Sequence, residues 1–504
     1  MAPRRVLLDP VETPGICHAP NLTNESADMA SRILQANRAN HIFTTWEKEM
    51  GSNRLSKASL HNHIVYHTLS LYALGASPEM ILHQTKRNTT YQLVPPKFPD
   101  EATLRAMTEP EKLKTFIGKE EHFLDFCEFF EQEIERYGYE DVLQKYLVGD
   151  NEIARDIFPR IYHGYVHGIM HIGLGLEFKQ APILAEGLAE AAVHHDWWYT
   201  AYIDACAAKA HDPNTKKTSL IECFEKALLD EKITTCSSYD YMKQYEAPSE
   251  EFPDGRWFVR REPYRDGVVG LVKDELSTCA AGWQVRPEDD LELATAELIN
   301  ISIYIAAAAQ RPPHEPRYDF FLIHGSNACL WHSVYLAEAS MSRSQKAKLI
   351  ETTGHMLLFL WAGVGSPPPQ IDWLLTHPRK QPNCGWEGIY ERANKHEDDG
   401  HMIKLIRALK NGEDVCKPYE GREEFKMKQD WFLQAAHAAM DSSSEQPMRY
   451  VQHFDIIRLV GFQEAWEKVP IDAREEVPVE ARGKVPMGAQ DTARTRPMEV
   501  DVTG

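Results

Sequence analysis

The stretch "HGYVHGIMHIGLGLEF", residues 163–178, sets His163, His167 and His171 four positions apart among Val166, Ile169, Met170, Ile172, Leu174 and Leu176. Apolar residues at three- and four-residue steps mark a helix. Imidazoles four apart on it lie within about 5 to 6 Å at Cβ, close enough for two ring nitrogens to meet one metal ion. Residues eight apart lie about 12 Å along the axis, so a straight helix offers one adjacent pair and not all three. The same period runs through 61–76, 123–138, 183–210, 291–309 and 348–365, with Gly75 and Gly138 near helix ends and Pro78 and Pro182 beside boundaries. Strand-like alternation is nearly absent, so the expected fold is all-α, a single large helical domain.

Breaks at 85–115, 211–265 and 366–386, dense in Pro or charge, read as long surface loops. Residues 1–40 read as an N-terminal extension, 41–469 as the catalytic body, and 470–504, rich in Pro, Arg and Glu, as a disordered C-terminal tail. The 55 Lys and Arg stand against 75 Asp and Glu, a net charge of -20, which argues against a nucleic-acid partner. The longest uncharged run, 352–371, is interrupted by "GVGSPPP" and leaves only about ten residues of continuous apolar helix, so no membrane segment is expected. The start, "MAPRRVLLDP", has a continuous run of only three apolar residues before Asp9, far short of a secretory signal, and an intracellular, cytoplasmic protein is expected. Nine scattered cysteines with no Cys-x-x-Cys read as reduced thiols.

Random placement of 22 histidines over 504 positions would give about one pair at spacing four, whereas three occur: His63 with His67, His163 with His167, and His167 with His171. His61 and His63 point about 200° apart on a helix, which leaves His61 outside a site built on His63 and His67. His324 sits among Phe320, Phe321, Ile323 and Trp331, surroundings that favour a neutral ring able to bind metal; His332, eight residues on, cannot share its ion. Imidazole-dominated sites suit Fe, Zn, Cu or Ni. Gly164 and Gly168 inside the helix imply a close approach, either by a ligand or by another backbone. Glu186, Glu190 and His194 share a stripe that supports a metal or forms a buried ion-pair face. Trp197, Trp198 and Tyr199 suit a wall for a flat substrate as well as core packing.

Two other chemistries recede. No histidine has Glu three positions before it, so the Glu-x-x-His di-iron pattern is absent. "FIGKEEHFLDF" (116–126) echoes the signature of flavin Baeyer-Villiger monooxygenases, yet no G-x-G-x-x-G fingerprint for FAD or NADP accompanies it, and it reads as an amphipathic helix.

Taken in order, "NHIVYHTLSLYALGAS" (62–77), "HGYVHGIMHIGLGLEF" (163–178), "AEGLAEAAVH" (185–194), "YDFFLIHGSNA" (318–328) and "GFQEAW" (461–466) resemble the questin oxidase family of fungal secondary metabolism, over roughly residues 40–466. The resemblance implies oxidative cleavage of a small aromatic polyketide, an anthraquinone or a relative, with a Baeyer-Villiger-type outcome, on routes to benzophenones, xanthones or aflatoxin-like products. It implies O2 as co-substrate and a non-haem iron held by histidines and a carboxylated lysine, with ligands among His63, His67, His167, His171 and His324. Lys346 and Lys348 are the available lysines near the helix 348–365, where Thr353 occupies a position that carries lysine in some relatives. NADPH is implied by the family alone. The alternatives are a metal-free NADPH-dependent monooxygenase and a non-catalytic helical binder of a polyketide intermediate.

Overall fold

Short polar side chains start the helices of this chain by accepting the backbone N–H groups that a first turn leaves unpaired. In the computed structural model Thr23 accepts from Ser26 N ahead of Asn24–Asn37, and Asp290 accepts from Leu293 N ahead of Leu291–Ala307. Ser219 with Glu222, and Ser342 with Gln345, form reciprocal capping boxes ahead of Leu220–Leu228 and Arg343–Gly363. The structure describes residues 1, 4–38, 45–48, 55–58, 61–89, 98–194, 197–240, 263–442 and 456–475. Among these, strands are confined to an antiparallel pairing of Thr45–Lys48 with Leu55–Ala58 and a two-residue parallel pairing of Tyr318–Asp319 with Ile456–Ile457. The fold is all-α, as the periodicity requires.

The periodic stretches form His63–Ala73, Phe123–Tyr137, Leu291–Ala307 and Arg343–Gly363. The run 183–210 is two helices, Ala181–Val193 and Trp197–Ala210, because His194 turns extended at ψ 142° and ends the first. The expected loops are partly helical: Glu101–Met107 begins at Asp100, Leu220–Leu228 at Ser219, and Ile371–Leu375 follows the prolines. The stretch 476–504, most of the expected tail, lies outside the described residues. Among the described residues no helix is long and apolar enough to cross a membrane, and all nine cysteines are free thiols.

Every residue of Ala181–Val193 is buried, and the helix packs between His163–Glu177 and Phe123–Tyr137. A helix apolar almost all round has no solvent face, and burying Leu184 or Leu188 stabilises the fold by about 1.5 to 3 kcal/mol each. Val6, Ala19, Ala27 and Leu34 of the N-terminal stretch join the same core, and Asn24–Asn37 lies against His63–Ala73. Four helices close a cycle around the centre. His63–Ala73 packs on His163–Glu177, that helix on Phe320–Leu330, that one on His401–Cys416, and the last returns to His63–Ala73. A buried ion pair between Arg407 and Glu177 locks two of them, with Trp331 Nε1 donating to the same carboxylate at 2.8 Å.

Candidate metal centre

Each helix of that cycle contributes one imidazole. The ring centroids of His63 and His167 are 5.3 Å apart, those of His167 and His324 4.9 Å, those of His324 and His401 4.8 Å, and those of His401 and His63 4.8 Å. Nε2 atoms face each other at 3.3 Å across His63 and His167 and at 3.1 Å across His324 and His401. The outer nitrogens fix the tautomers. Nδ1 lies 3.0 Å from Asp399 O in His63, 2.6 Å from Gly164 O in His167 and 2.5 Å from Phe320 O in His324, while in His401 it meets Asp399 Oδ1. Carbonyls and carboxylates only accept, so each Nδ1 donates and each neutral ring turns an Nε2 lone pair inward.

Lone pairs so arranged repel one another unless a cation or proton sits among them. Protons are disfavoured: burial first, then neighbouring imidazoles and Lys404, holds His167 and His324 well below the usual histidine range, and burial pushes His401 down to about 4. Nitrogens 3.1 to 3.3 Å apart match neighbouring ligands that each sit about 2.1 Å from one ion. Lys404 lies one turn beyond His401. Its Nζ is buried, makes no hydrogen bond and stands 4.6 Å over the Tyr66 ring. Burial pushes the ammonium down to about 8, against the opposing pull of Asp399, Asp398 and Glu190.

Two backbone devices aim the rings. Gly164, Tyr165 and Val166 form a left-handed turn with φ between 58° and 62°, a conformation that costs roughly 1 to 3 kcal/mol at each non-glycine residue. It turns His163 off the stripe of His167 and brings the Gly164 carbonyl to His167 Nδ1. Gly400, at φ 93°, heads His401–Cys416, with Asp398 accepting from Gly400 N and Met402 N at 2.6 and 2.7 Å. A Cβ on Gly400 would lie 2.9 Å from the His67 Cβ.

Of the histidines expected from sequence, His63, His167 and His324 stand in the ring; His67 and His171 do not. The Asn88 amide donates to His67 Nδ1 at 2.9 Å, leaving the proton of a neutral His67 on Nε2, the opposite tautomer. His171 Nδ1 donates to Glu190 Oε2 at 2.9 Å, and its Nε2 is 3.8 Å from Glu186. His163 packs instead on Trp198 and Tyr199, with centroids 5.6 and 5.1 Å apart. The expected aromatic wall therefore flanks His163, and the Trp197 side chain lies outside the described residues. Aromatic rings against the four imidazoles include Phe320, 4.5 Å from His324 and 5.0 Å from His401, Tyr66, 5.8 Å from His63 and 5.6 Å from His167, and Tyr165, 6.2 Å from His324. Lys346 donates to Leu336 O, Lys348 sits over Phe158, and Thr353 bonds Tyr162 and His332, so the lysine beside the ring is Lys404. Gly164 serves the site, since a Cβ there would meet His61 and His194, whereas Gly168 serves packing against Ile161.

Sequence reasoning missed His401 and Lys404. Their signal was "DDGHMIK", a cap, a glycine and then histidine and lysine three apart at a helix start, with no second histidine to mark it.

Residues 60–409 match the family described as questin oxidase-like. The chain is 31% identical to the Baeyer-Villiger oxidase ptaJ of Pestalotiopsis fici over 88% of its length and 94% of that protein's. It is 30% identical to a questin oxidase of Aspergillus fumigatus, covering 90% and 97%, and 31% identical to the oxidoreductase AflY of Aspergillus parasiticus, covering 87% and 83%. These matches make the chain an oxidoreductase, a member of the questin oxidase-like family.

Proposed function

We propose that this chain oxidatively cleaves a ring of an anthraquinone or related aromatic polyketide, with a Baeyer-Villiger-type outcome, at a non-haem iron held by Nε2 of His63, His167, His324 and His401. The observation that carries the reading is the set of four inward lone pairs, each fixed by a donor bond on its far nitrogen. The names of the relatives supply the reaction class. An all-imidazole set fits iron, and a buried lysine amine without a hydrogen-bond partner fits the remaining part. The neutral amine of Lys404 adds CO2 and loses a proton, giving a carbamate whose oxygen is the one anionic donor among neutral rings. Iron bound there supplies the redox chemistry by which O2 reacts with an electron-rich ring.

The chain's own part is orientation and exclusion of water. Phe320 and Tyr165, both partly exposed, form the edge on which a flat substrate lies against the ring. The Arg458 guanidinium, 4.5 Å over Phe320, presents positive charge to a substrate phenolate. NADPH finds no dinucleotide-binding strand–turn–helix unit among the described residues, and no step is assigned to it.

The test is metal quantification with O2 uptake on a hydroxyanthraquinone, for the wild type and His401→Ala. The variant should lose iron and O2 uptake together. Unchanged iron content in His401→Ala would refute the assignment.

A further inference from the structure

Beside the ring lies a second group of buried ligating atoms that the proposed reaction does not use. His61 stacks face to face on His167, with centroids 3.7 Å apart and planes 9° from parallel. Its Nε2 points away from the ring, lying 3.3 Å from His194 Nε2 and 3.4 Å from Glu190 Oε1. His194 Nδ1 is 3.2 Å from Arg160 O and donates to it, so its Nε2 carries a lone pair toward the same point. Glu190 gives its other oxygen to His171 at 2.9 Å, while Oε1, on a side chain 2% exposed, has no hydrogen-bond partner.

These separations discriminate between two readings. An N–H···O bond is usually 2.7 to 3.2 Å long, whereas ligands about 2.1 Å from one tetrahedral ion stand roughly 3.4 Å apart. The 3.4 Å His61–Glu190 spacing falls with the second, and the 3.3 Å between the two Nε2 atoms accommodates it. Gly164 borders the place: a Cβ there would come within 2.5 Å of His61 Nε2 and 3.0 Å of His194 Nε2, so only a residue without a side chain leaves both nitrogens approachable. The carboxylate is positioned in turn through His171, which lies between Glu190 and Glu186, while Asn62 donates to Glu186 at 2.5 Å.

We infer that His61, Glu190 and His194 form a second divalent-cation site, a two-histidine, one-carboxylate set suited to Zn(II), Fe(II) or Mn(II), separated from the four-imidazole ring by the stacked His61–His167 pair. Two neutral imidazoles and one carboxylate leave a divalent ion one net positive charge and room for a water or a substrate oxygen. This site stands on its own atoms and does not require the ring to hold iron.

The experiment is stoichiometric titration of metal-stripped full-length chain with Zn(II), read by mass spectrometry of the washed protein. Parallel titration with Co(II) uses its visible bands to report tetrahedral nitrogen and oxygen ligation. Wild type should take up two equivalents. Glu190→Gln and His194→Ala should each keep one, and His401→Ala should keep the other, so failure at the ring and failure here are separable. Glu190→Gln and His194→Ala proteins that bind as many equivalents as the wild type overturn the inference, and so does a His401→Ala protein that binds none; a single wild-type equivalent that Glu190→Gln abolishes counts against the ring alone. If Glu190→Gln or His194→Ala does not fold, as judged by circular dichroism, the equivalent retained by His401→Ala decides.

Discussion

Two histidine groups share one wall of this molecule and solve different problems. In the ring, His63, His167, His324 and His401 each commit Nδ1 to an oxygen acceptor behind them and turn a lone pair forward, and no carboxylate is among the facing atoms. Across the stacked His61–His167 pair, imidazoles alternate with acids: His61 and His171 both address Glu190, and His171 also lies near Glu186. The first group presents imidazoles alone; the second includes carboxylates among its facing groups. What separates them is what the facing nitrogens meet: other imidazole Nε2 atoms in the ring, and the Glu190 carboxylate beyond the stacked pair.

The strongest way to break this comparison is to remove a ring member. His401→Ala should lower the iron affinity of the ring and O2 uptake by on the order of 10²-fold or more, because the remaining rings present an incomplete set. His67→Ala, which takes away a ring of the opposite tautomer, should leave the ring's metal in place. Equal loss of metal in both variants would erase the distinction drawn from tautomers.

Acid should separate the groups next, with opposite signs. His401 titrates at about 4 instead of 6.5. The unfolded chain thus takes up that proton first, and the stability it contributes, present above pH 6.5, is lost as pH falls from 6.5 toward 4, about 3 kcal/mol in the metal-free chain. His171 is shifted the other way: burial opposes its charge, but Glu186 and Glu190 outweigh burial and raise it. Its contribution is present below pH 6.5 and lost as pH rises through the raised value. Histidine titrations followed by NMR in metal-free protein should show His171 charged at a pH where His401 is neutral; the reverse order would remove the electrostatic contrast.

The helices were legible because burial on nearly all faces and 3.6-residue periods leave few alternatives, and His63, His167 and His324 were legible as histidines in apolar helices. Spacing misled where it implied chelation by neighbours on one helix. His67 and His171 lie on the expected stripes, but Asn88 and Glu190, distant in sequence, decide what their nitrogens do. His163 was lost to a left-handed turn that no residue type announces, since Tyr165 and Val166 both disfavour it. His401 and Lys404 come from a segment whose closeness to His63 depends on helix packing more than 330 positions along the chain.

A smaller effect should follow from Asp399→Asn. Asp399 receives Nδ1 of His401 on Oδ1 and lies 3.3 Å from Nδ1 of His63 through Oδ2, whereas an amide has one accepting oxygen and one donating nitrogen. The amide nitrogen would face the Nδ1–H of one imidazole, donor against donor, so with the oxygen kept on His401 the tautomer of His63 would rest on the Asp399 carbonyl alone. Metal affinity should weaken about 10- to 100-fold, measured by competition with a chelator, while His171 keeps its titration. An unchanged affinity would mean that the backbone carbonyl of Asp399 suffices.

Tyr66 sits where the comparison is finest, with its ring 5.6 Å from His167 and 5.2 Å from His171, and Lys404 Nζ over its face. Its hydroxyl donates to His167 O at 2.9 Å, a bond to the backbone and not to the imidazole. Tyr66→Phe removes that bond and keeps the ring under Lys404. It should therefore cost about 1 kcal/mol in denaturant unfolding and leave metal content intact. Tyr66→Leu also takes away the aromatic face on which the lysine nitrogen rests, so it should disturb Lys404 as well. If Tyr66→Phe released metal as fully as Tyr66→Leu, the hydroxyl and not the ring face would be what holds the two regions in register.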